Sequence, residues 1–306
     1  MRIGITLPNY GPLAGGANLA RLARQAEALG FDSVWVADHL VVPVETASLY
    51  PFDPRATREP ARLDGLVEFY EPLVTLAYLA AATTRVRLGV SVYVLPYRNP
   101  VVTAKLVATL DALSGGRVIF GVGVGWLREE FTAVGADARQ RGRVTDEYLE
   151  VCRRLWRDEI ASFHGTHYQL PPVRTGPKPA QRPWPPIWIG GNSAAARRRA
   201  VALGDGLHLI DRPPEEIPAA RSALHAALAA AERAPESCAL SLRSTLAVGD
   251  DASAARPLSG GPAKVRRDRD AYAQAGLDYL VASPRRTATV DELADAIGVA
   301  ADVLLG

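Results

Sequence analysis

Short, nearly continuous apolar runs alternate with amphipathic stretches along the chain. Residues 3–7, 33–37, 86–95, 118–124, 187–189, 207–210, 240–248 and 277–282 each read as a strand. Between them, apolar residues recur at helical spacing. Leu19, Leu22, Ala26 and Leu29 do so before Gly30, Val102, Leu106, Leu110 and Leu113 before Ser114-Gly115-Gly116, and Tyr148, Cys152 and Leu155 further on. Helices are also predicted over 72–83, 217–231, 264–275 and 290–304, and after Ser193. Strands this apolar are buried on both faces, as in a parallel sheet. Eight strand-then-helix units predict an α/β fold, a (β/α)8 TIM barrel forming a single domain over 1–306. Residues 39–71, 126–142 and 159–186 break the alternation and are expected as insertion segments at the C-terminal face. The second is read as mostly loop, the third as a short hairpin and a Pro-rich excursion. The first and third would cover the site.

In such a barrel the chemistry lies at the C-terminal ends of the strands. That rule gathers Asn9, Asp38-His39, Leu95-Pro96, Gly125-Trp126, Gly190-Gly191 and Asp211 at one mouth. His39 is the acid/base candidate, because imidazole changes charge near neutral pH. Asp38 could orient it, although strand alternation points the two apart. Gly190-Gly191-Asn192-Ser193 ends an apolar strand and opens a helix. Such a turn presents bare amides to an anion, with Ser193 as N-cap; a ligand-free strand–turn–helix joint is the plainer alternative. Ser91-Val92, a small residue inside a β-branched run, reads either as a bulge beside a flat ligand or as ordinary core. Gly121, Gly123 and Gly125 lack the spacing of a dinucleotide fingerprint. On alternate positions they would leave room inside the barrel for something flat. One of Arg197, Arg198 and Arg199 could turn toward a phosphate. The adjacent Glu129-Glu130 would suit glycoside hydrolysis only from two strand ends, and they share one loop or short helix.

Composition narrows the function classes. Of 306 residues 48% are hydrophobic and 22% charged, with a net charge of +2 that argues against nucleic acid. No apolar run would span a bilayer. Met1 leads straight into a strand, so no signal peptide and a cytoplasmic location are expected. Cys152 and Cys238 lack metal or redox spacing and read as buried thiols. No metal site and no Gly-x-Ser-x-Gly nucleophile turn is expected.

Several ordered motifs carry a resemblance. They are Ala28-Leu29-Gly30-Phe31-Asp32-Ser33-Val34-Trp35 leading to Asp38-His39, Arg87-Leu88-Gly89-Val90-Ser91-Val92, and Leu95-Pro96-Tyr97-Arg98-Asn99-Pro100. Leu110-Asp111-Ala112-Leu113-Ser114-Gly115-Gly116-Arg117, Gly121-Val122-Gly123-Val124-Gly125-Trp126, Arg141-Gly142, Pro186-Ile187-Trp188-Ile189-Gly190-Gly191 and Gly204-Asp205-Gly206 follow. Over 3–210 the chain resembles the bacterial luciferase-like, flavin-dependent oxidoreductases, and within them the branch using the deazaflavin coenzyme F420. The resemblance implies the same barrel. It implies His39 as the catalytic residue, with Asp38, Ser91, Val92, Val124, Gly125, Gly190, Gly191, Asn192 and Ser193 as the cofactor-binding set. Ser91-Val92 fits a bulged strand with a cis peptide behind the deazaflavin ring, and the Gly190-Gly191 turn with Ser193 fits the phosphate site. Trp126 and Pro43 stand where sugar-phosphate dehydrogenases of the branch have glutamate and tryptophan, so that activity is not carried over. The implied reaction is hydride transfer between F420 and a small, largely apolar substrate, with an F420 or flavin reductase as partner and a homodimer as assembly. The alternatives are an FMN-dependent monooxygenase fed reduced flavin by a reductase, and a flavin-binding protein without turnover.

Overall fold

The fold was analysed in a computed structural model that describes residues 1–51, 67–249, 252–253 and 255–306. The middle of the expected 39–71 covering loop, 52–66, lies outside the described residues. Eight parallel strands close a barrel: β1 (Arg2–Thr6), β2 (Ser33–Val36), β3 (Arg87–Val90), β4 (Val118–Gly123), β5 (Ile187–Gly190), β6 (Gly206–Ile210), β7 (Ala239–Val248) and β8 (Tyr279–Pro284). They pair in chain order, and β8 returns to β1 with Ile3 opposite Leu280. Outside them lie α1 (Gly16–Leu29), α2 (Pro72–Ala82), α3 (Pro100–Ser114), α4 (Arg141–Arg157), α5 (Ala194–Leu203), α6 (Ile217–Ala230), α7 (Pro262–Gln274) and α8 (Val290–Leu304).

Large rings fill the barrel interior. Trp35, Trp188 and Tyr279 pack with Ile119 and Val281, and the two indoles stack at 5.3 Å. Glycines make this possible: a Cβ on Gly206 would fall 2.6 Å from Trp188, and one on Gly89 would enter the Trp35 ring. A second core layer lies between strands and helices, with Leu22, Leu76, Val107, Leu149, Leu224 and Ile297 buried.

Three sequence expectations change. First, the room left by Gly121, Gly123 and Gly125 is taken by protein. The expected 86–95 strand breaks at the cis Ser91–Val92 peptide. The Val90 carbonyl then lies against Gly121 and the Val92 side chain against Gly123, while Phe131 and Val94 approach Gly125. The glycines admit a bulged neighbouring strand, not a ligand. Second, Val102, Leu106 and Leu113 are 56%, 41% and 78% exposed. The helix is present and Leu110 is buried as expected, but the rest of its buried face is Thr103, Ala104, Val107, Ala108 and Asp111. Small residues there let α3 lie close to the strands, turning the larger aliphatics outward. Third, no residue of 159–186 lines the mouth cavity. Its hairpin, Ala161–His164 with Gln169–Val173, forms as expected. Beyond it, Lys178 donates to the carbonyls of Leu155 and Asp158 and Gln181 to Asp111, drawing the excursion along the outside of the barrel.

Gly298 lies inside α8, and a methyl group added there would meet nothing within 4 Å. Gly298→Ala is therefore expected to raise unfolding free energy by about 1 kcal/mol, read by urea denaturation.

Candidate active site

The end of β2 sends two adjacent side chains to different partners. Asp38, fully buried, accepts from the Val94 amide at 2.8 Å and from both terminal nitrogens of Arg98 at 2.7 Å. Expected among the cofactor-binding residues, it lines the mouth cavity, and its carboxylate pins the strand break to the barrel. His39 turns the other way, and its Nδ1 lies 2.8 Å from Glu130 of the short helix Arg128–Ala133. This helix stands where mostly loop was expected.

Glu130 has no exposed surface and faces only donors. The Leu40 amide at 2.5 Å, the Val41 amide at 3.2 Å and the Tyr97 hydroxyl at 3.1 Å join His39 on its two oxygens. Burial alone would raise this carboxyl. The His39 hydrogen bond and charge and the two amides outweigh it and hold the group below the usual carboxylate range. Burial, with the charge of Glu130, pushes the Tyr97 phenol upward, so it stays a donor. An ionised carboxylate only accepts. His39 Nδ1 must therefore carry a proton, which leaves Nε2 as the nitrogen free to take up or release one. Glu129 binds the amides of Ala47 and Ser48 and the Ser48 hydroxyl. The adjacent carboxylates are thus loop anchors and an imidazole partner, not a pair facing one bond.

His39 opens into a cavity of about 1180 Å³ at the barrel mouth. Ser91, Val92, Val124 and Gly125 line one part of it, and Trp126 and Tyr50 another. Trp126 meets His39 edge-on at 6.2 Å and Tyr50 at 5.2 Å. Below Ser91 is a residue that sequence reasoning missed. His208 on β6 is buried, its Nε2 2.9 Å from the Ser91 hydroxyl and its Nδ1 2.8 Å from that of Ser241. Burial and then Arg243 push it down to about 3, so the ring is neutral.

The same cavity reaches the Gly190–Ser193 turn. A Cβ on Gly190 would come 2.7 Å from the Val92 side chain, and Gly191 has φ +127°. The Asn192 side chain makes a pair of bonds to one residue: its amide donates to the Ile210 carbonyl at 2.9 Å and accepts from the Ile210 amide at 3.0 Å. It clamps β5 to β6 and lines the cavity. Asn9 makes the same clamp between β1 and Ala37. The Ser193 hydroxyl caps α5, accepting from Ala196 at 3.1 Å. First-turn amides cannot be paired within a helix, and Ser193, Ala195 and Ala196 line the cavity. Arg199 pairs with Asp146 and donates to the Gly142 carbonyl at 3.0 Å. That contact sets the start of α4 beside α5, and Arg139, Arg141 and Arg199 all reach the cavity. Among the described residues no group of side chains could hold a metal ion.

A family model for luciferase-like monooxygenases matches residues 1–298. The chain belongs to the luciferase-like monooxygenase family. An uncharacterized Mycobacterium tuberculosis protein is 38% identical over 187 residues, 61% of this chain and 63% of its own length. The match thus spans less than two thirds of that relative. The F420-dependent glucose-6-phosphate dehydrogenase of Kineococcus radiotolerans is 35% identical over 193 residues, 61% of this chain and 50% of that one. The FMNH2-dependent dimethylsulfone monooxygenase of Pseudomonas putida is 35% identical over 136 residues, 43% and 37% of the two chains. The barrel superposes on the Streptomyces bottropensis monooxygenase RslO1 with a TM-score of 0.82 at 24% identity, over 100% and 99% of the chains. Family members so similar to this chain include both F420-dependent and FMN-dependent enzymes. Among the described residues no helix is long and apolar enough to cross a membrane.

Proposed function

We propose that this luciferase-like chain is an F420-dependent oxidoreductase. The observation that carries the reading is that one cavity joins a proton-exchanging imidazole to a turn with unpaired amides and three arginines. Bare amides with Arg141, which has no carboxylate partner among the described residues, and with Arg139 and Arg199, each of which also faces one aspartate, suit a negatively charged tail. F420, with a phosphodiester followed by carboxylates, fits this better than FMN with its single phosphate. The longer match to the F420-dependent relative agrees.

When bound, F420 supplies two-electron hydride chemistry. The chain supplies the rest. Ser193 and the first-turn amides of α5 would hold the phosphate, and Arg141 and Arg199 the charges beyond it. Ser91, Val92, Val124 and Gly125 would form the wall against which the ring lies. His39 Nε2 takes or gives the proton that accompanies hydride transfer, and Glu130 stabilises the charged ring while that proton is held. Trp126 and Tyr50 exclude water from the same space.

Titration of the apo protein with F420 and with FMN, followed by absorbance and fluorescence, tests this. Tight binding of F420 with none of FMN is expected; the reverse overturns the reading in favour of an FMN monooxygenase. His39→Ala should retain F420 and lose turnover. If turnover by His39→Ala matches wild type, His39 has no part in the chemistry.

A further inference from the structure

Among the described residues three arginines on the cavity wall, Arg128, Arg141 and Arg243, have no carboxylate partner, and of these Arg243 lies against the Ser91 carbonyl. Arg243 projects from β7 toward the mouth, between buried Ser241 below and exposed Thr245 above. Arg199, Arg212 and Arg139 each face one carboxylate, Asp146, Glu216 and Asp137, and Arg128 and Arg141 stand on the segment after β4. Arg243 has no carboxylate partner among the described residues. Its Nε donates to the Ser283 hydroxyl at 3.1 Å, and one terminal nitrogen lies 3.4 Å from the Ser91 carbonyl. Ser283 also accepts from the Thr6 hydroxyl at 3.2 Å. With two donors on its oxygen, the Ser283 hydroxyl has its own proton left to give. The end of β7 therefore places a guanidinium on the cavity wall, with the Ser283 hydroxyl of β8 behind it and no carboxylate for its charge among the described residues. A half-buried guanidinium in that setting is matched by an anion.

We propose that Arg243, supported by Ser283, binds the carboxylate of a small organic acid, and that this acid is the substrate. The proposal rests on the cavity being the hydride-transfer site. It replaces the largely apolar substrate expected from sequence. The contact between Arg243 and the Ser91 carbonyl sets the anion beside the wall assigned to the ring. The acid group of the substrate therefore lies close to the reacting carbon, not at the end of a long chain.

Calorimetric titration of the F420-loaded protein with butyrate and with its neutral counterpart butyramide tests this. Butyrate is expected to bind at least about tenfold more tightly than butyramide. In Arg243→Gln the preference should fall to within about twofold, in Arg243→Lys it should be partly kept, and Ser283→Ala should lose roughly threefold. Ser283→Ala also serves if Arg243→Gln does not fold, which a thermal melt shows. F420 affinity is measured separately by fluorescence for each variant. No preference in wild type, or an unchanged preference in Arg243→Gln, overturns the proposal. So does a selective loss of F420 affinity in Arg243→Gln, which would assign the arginine to the cofactor. If F420 binds no variant while FMN-loaded protein shows the Arg243-dependent preference, the F420 reading fails and the carboxylate site stands.

Discussion

Replacing Glu130 by glutamine is expected to lower turnover by roughly a hundredfold or more, with cofactor binding retained. The reason is tautomeric. In the native site every group on the carboxylate is a donor, so His39 presents Nδ1–H to Glu130 and an open Nε2 to the cavity. A glutamine that keeps accepting from the Leu40 and Val41 amides must turn its NH2 toward Tyr97 and His39. Nδ1 then becomes the acceptor, and Nε2 carries the proton it should be free to exchange. The carboxylate charge that favours the protonated ring is lost as well. The loss should therefore fall on kcat, with F420 affinity little changed. A role confined to packing would reduce the yield of folded protein and leave the kcat of the folded fraction in place. Glu130→Asp, which keeps the charge on a shorter arm, should recover part of the rate.

The same substitution has a separate stability signature. Glu130 ties residues 39–41 to the short helix, and replacing its charge-assisted bonds by those of a neutral buried amide is expected to reduce stability by about 2 kcal/mol near neutral pH. The sign of the pH dependence follows from the direction of the shift. The folded carboxyl titrates below its usual range. Its stabilisation is therefore complete above the ordinary glutamate value of about 4.3 and is lost as pH falls through the lower folded value. Urea midpoints of wild type and Glu130→Gln should differ most near neutrality and converge in acid. A constant difference down to pH 3 would show that Glu130 is not held ionised.

The residues that the sequence revealed share one property: their role follows from chain-local pattern. Apolar strands separated by helical spacing were enough for the barrel, and Gly30 and Gly115 end their helices in the left-handed conformation as their positions foretold. Motif residues that look functional on paper include several structural ones. Asp205 holds the Ile187 amide at 2.9 Å, and Arg117 reaches the carbonyls of Ala80 and Val86, at the end of the barrel away from the mouth. What stayed hidden depended on contacts between distant segments. His39 and Glu130 are 91 positions apart, and no periodicity links them. A signal did exist in Leu127 and Phe131, which are both buried and would have marked a short helix with Glu130 beside its inner face. His208 was legible too, since Leu207 and Leu209 on either side face the helices and alternation turns it inward. The side of α3 that faces the strands was not, because close packing on the barrel favours Ala104 and Ala108 over larger residues that look more hydrophobic.

Gly121→Ala is expected to be the most destabilising single methyl addition in the site's support, by about 3 kcal/mol. Gly121 pairs with Trp188 across β4 and β5, and its absent side chain would point at the Val90 carbonyl. That obstacle is backbone. Val90 pairs with Val36 on β2, and the next amide, Ser91, donates to the Val36 carbonyl at 2.8 Å. Relief would have to break this pairing where the chain turns into the Ser91–Val92 bulge. Gly190→Ala meets a different neighbour, the Val92 side chain at 2.7 Å. That side chain can yield toward the open cavity, so its cost should be smaller, about 1 kcal/mol, but felt in the space meant for the ring. The two substitutions should therefore separate: Gly121→Ala chiefly lowers the urea midpoint, and Gly190→Ala chiefly weakens F420 binding. If Gly121→Ala unfolds at the wild-type midpoint, the Val90 carbonyl does not occupy that space. If Gly190→Ala binds F420 as wild type does, Val92 is not part of the cofactor wall.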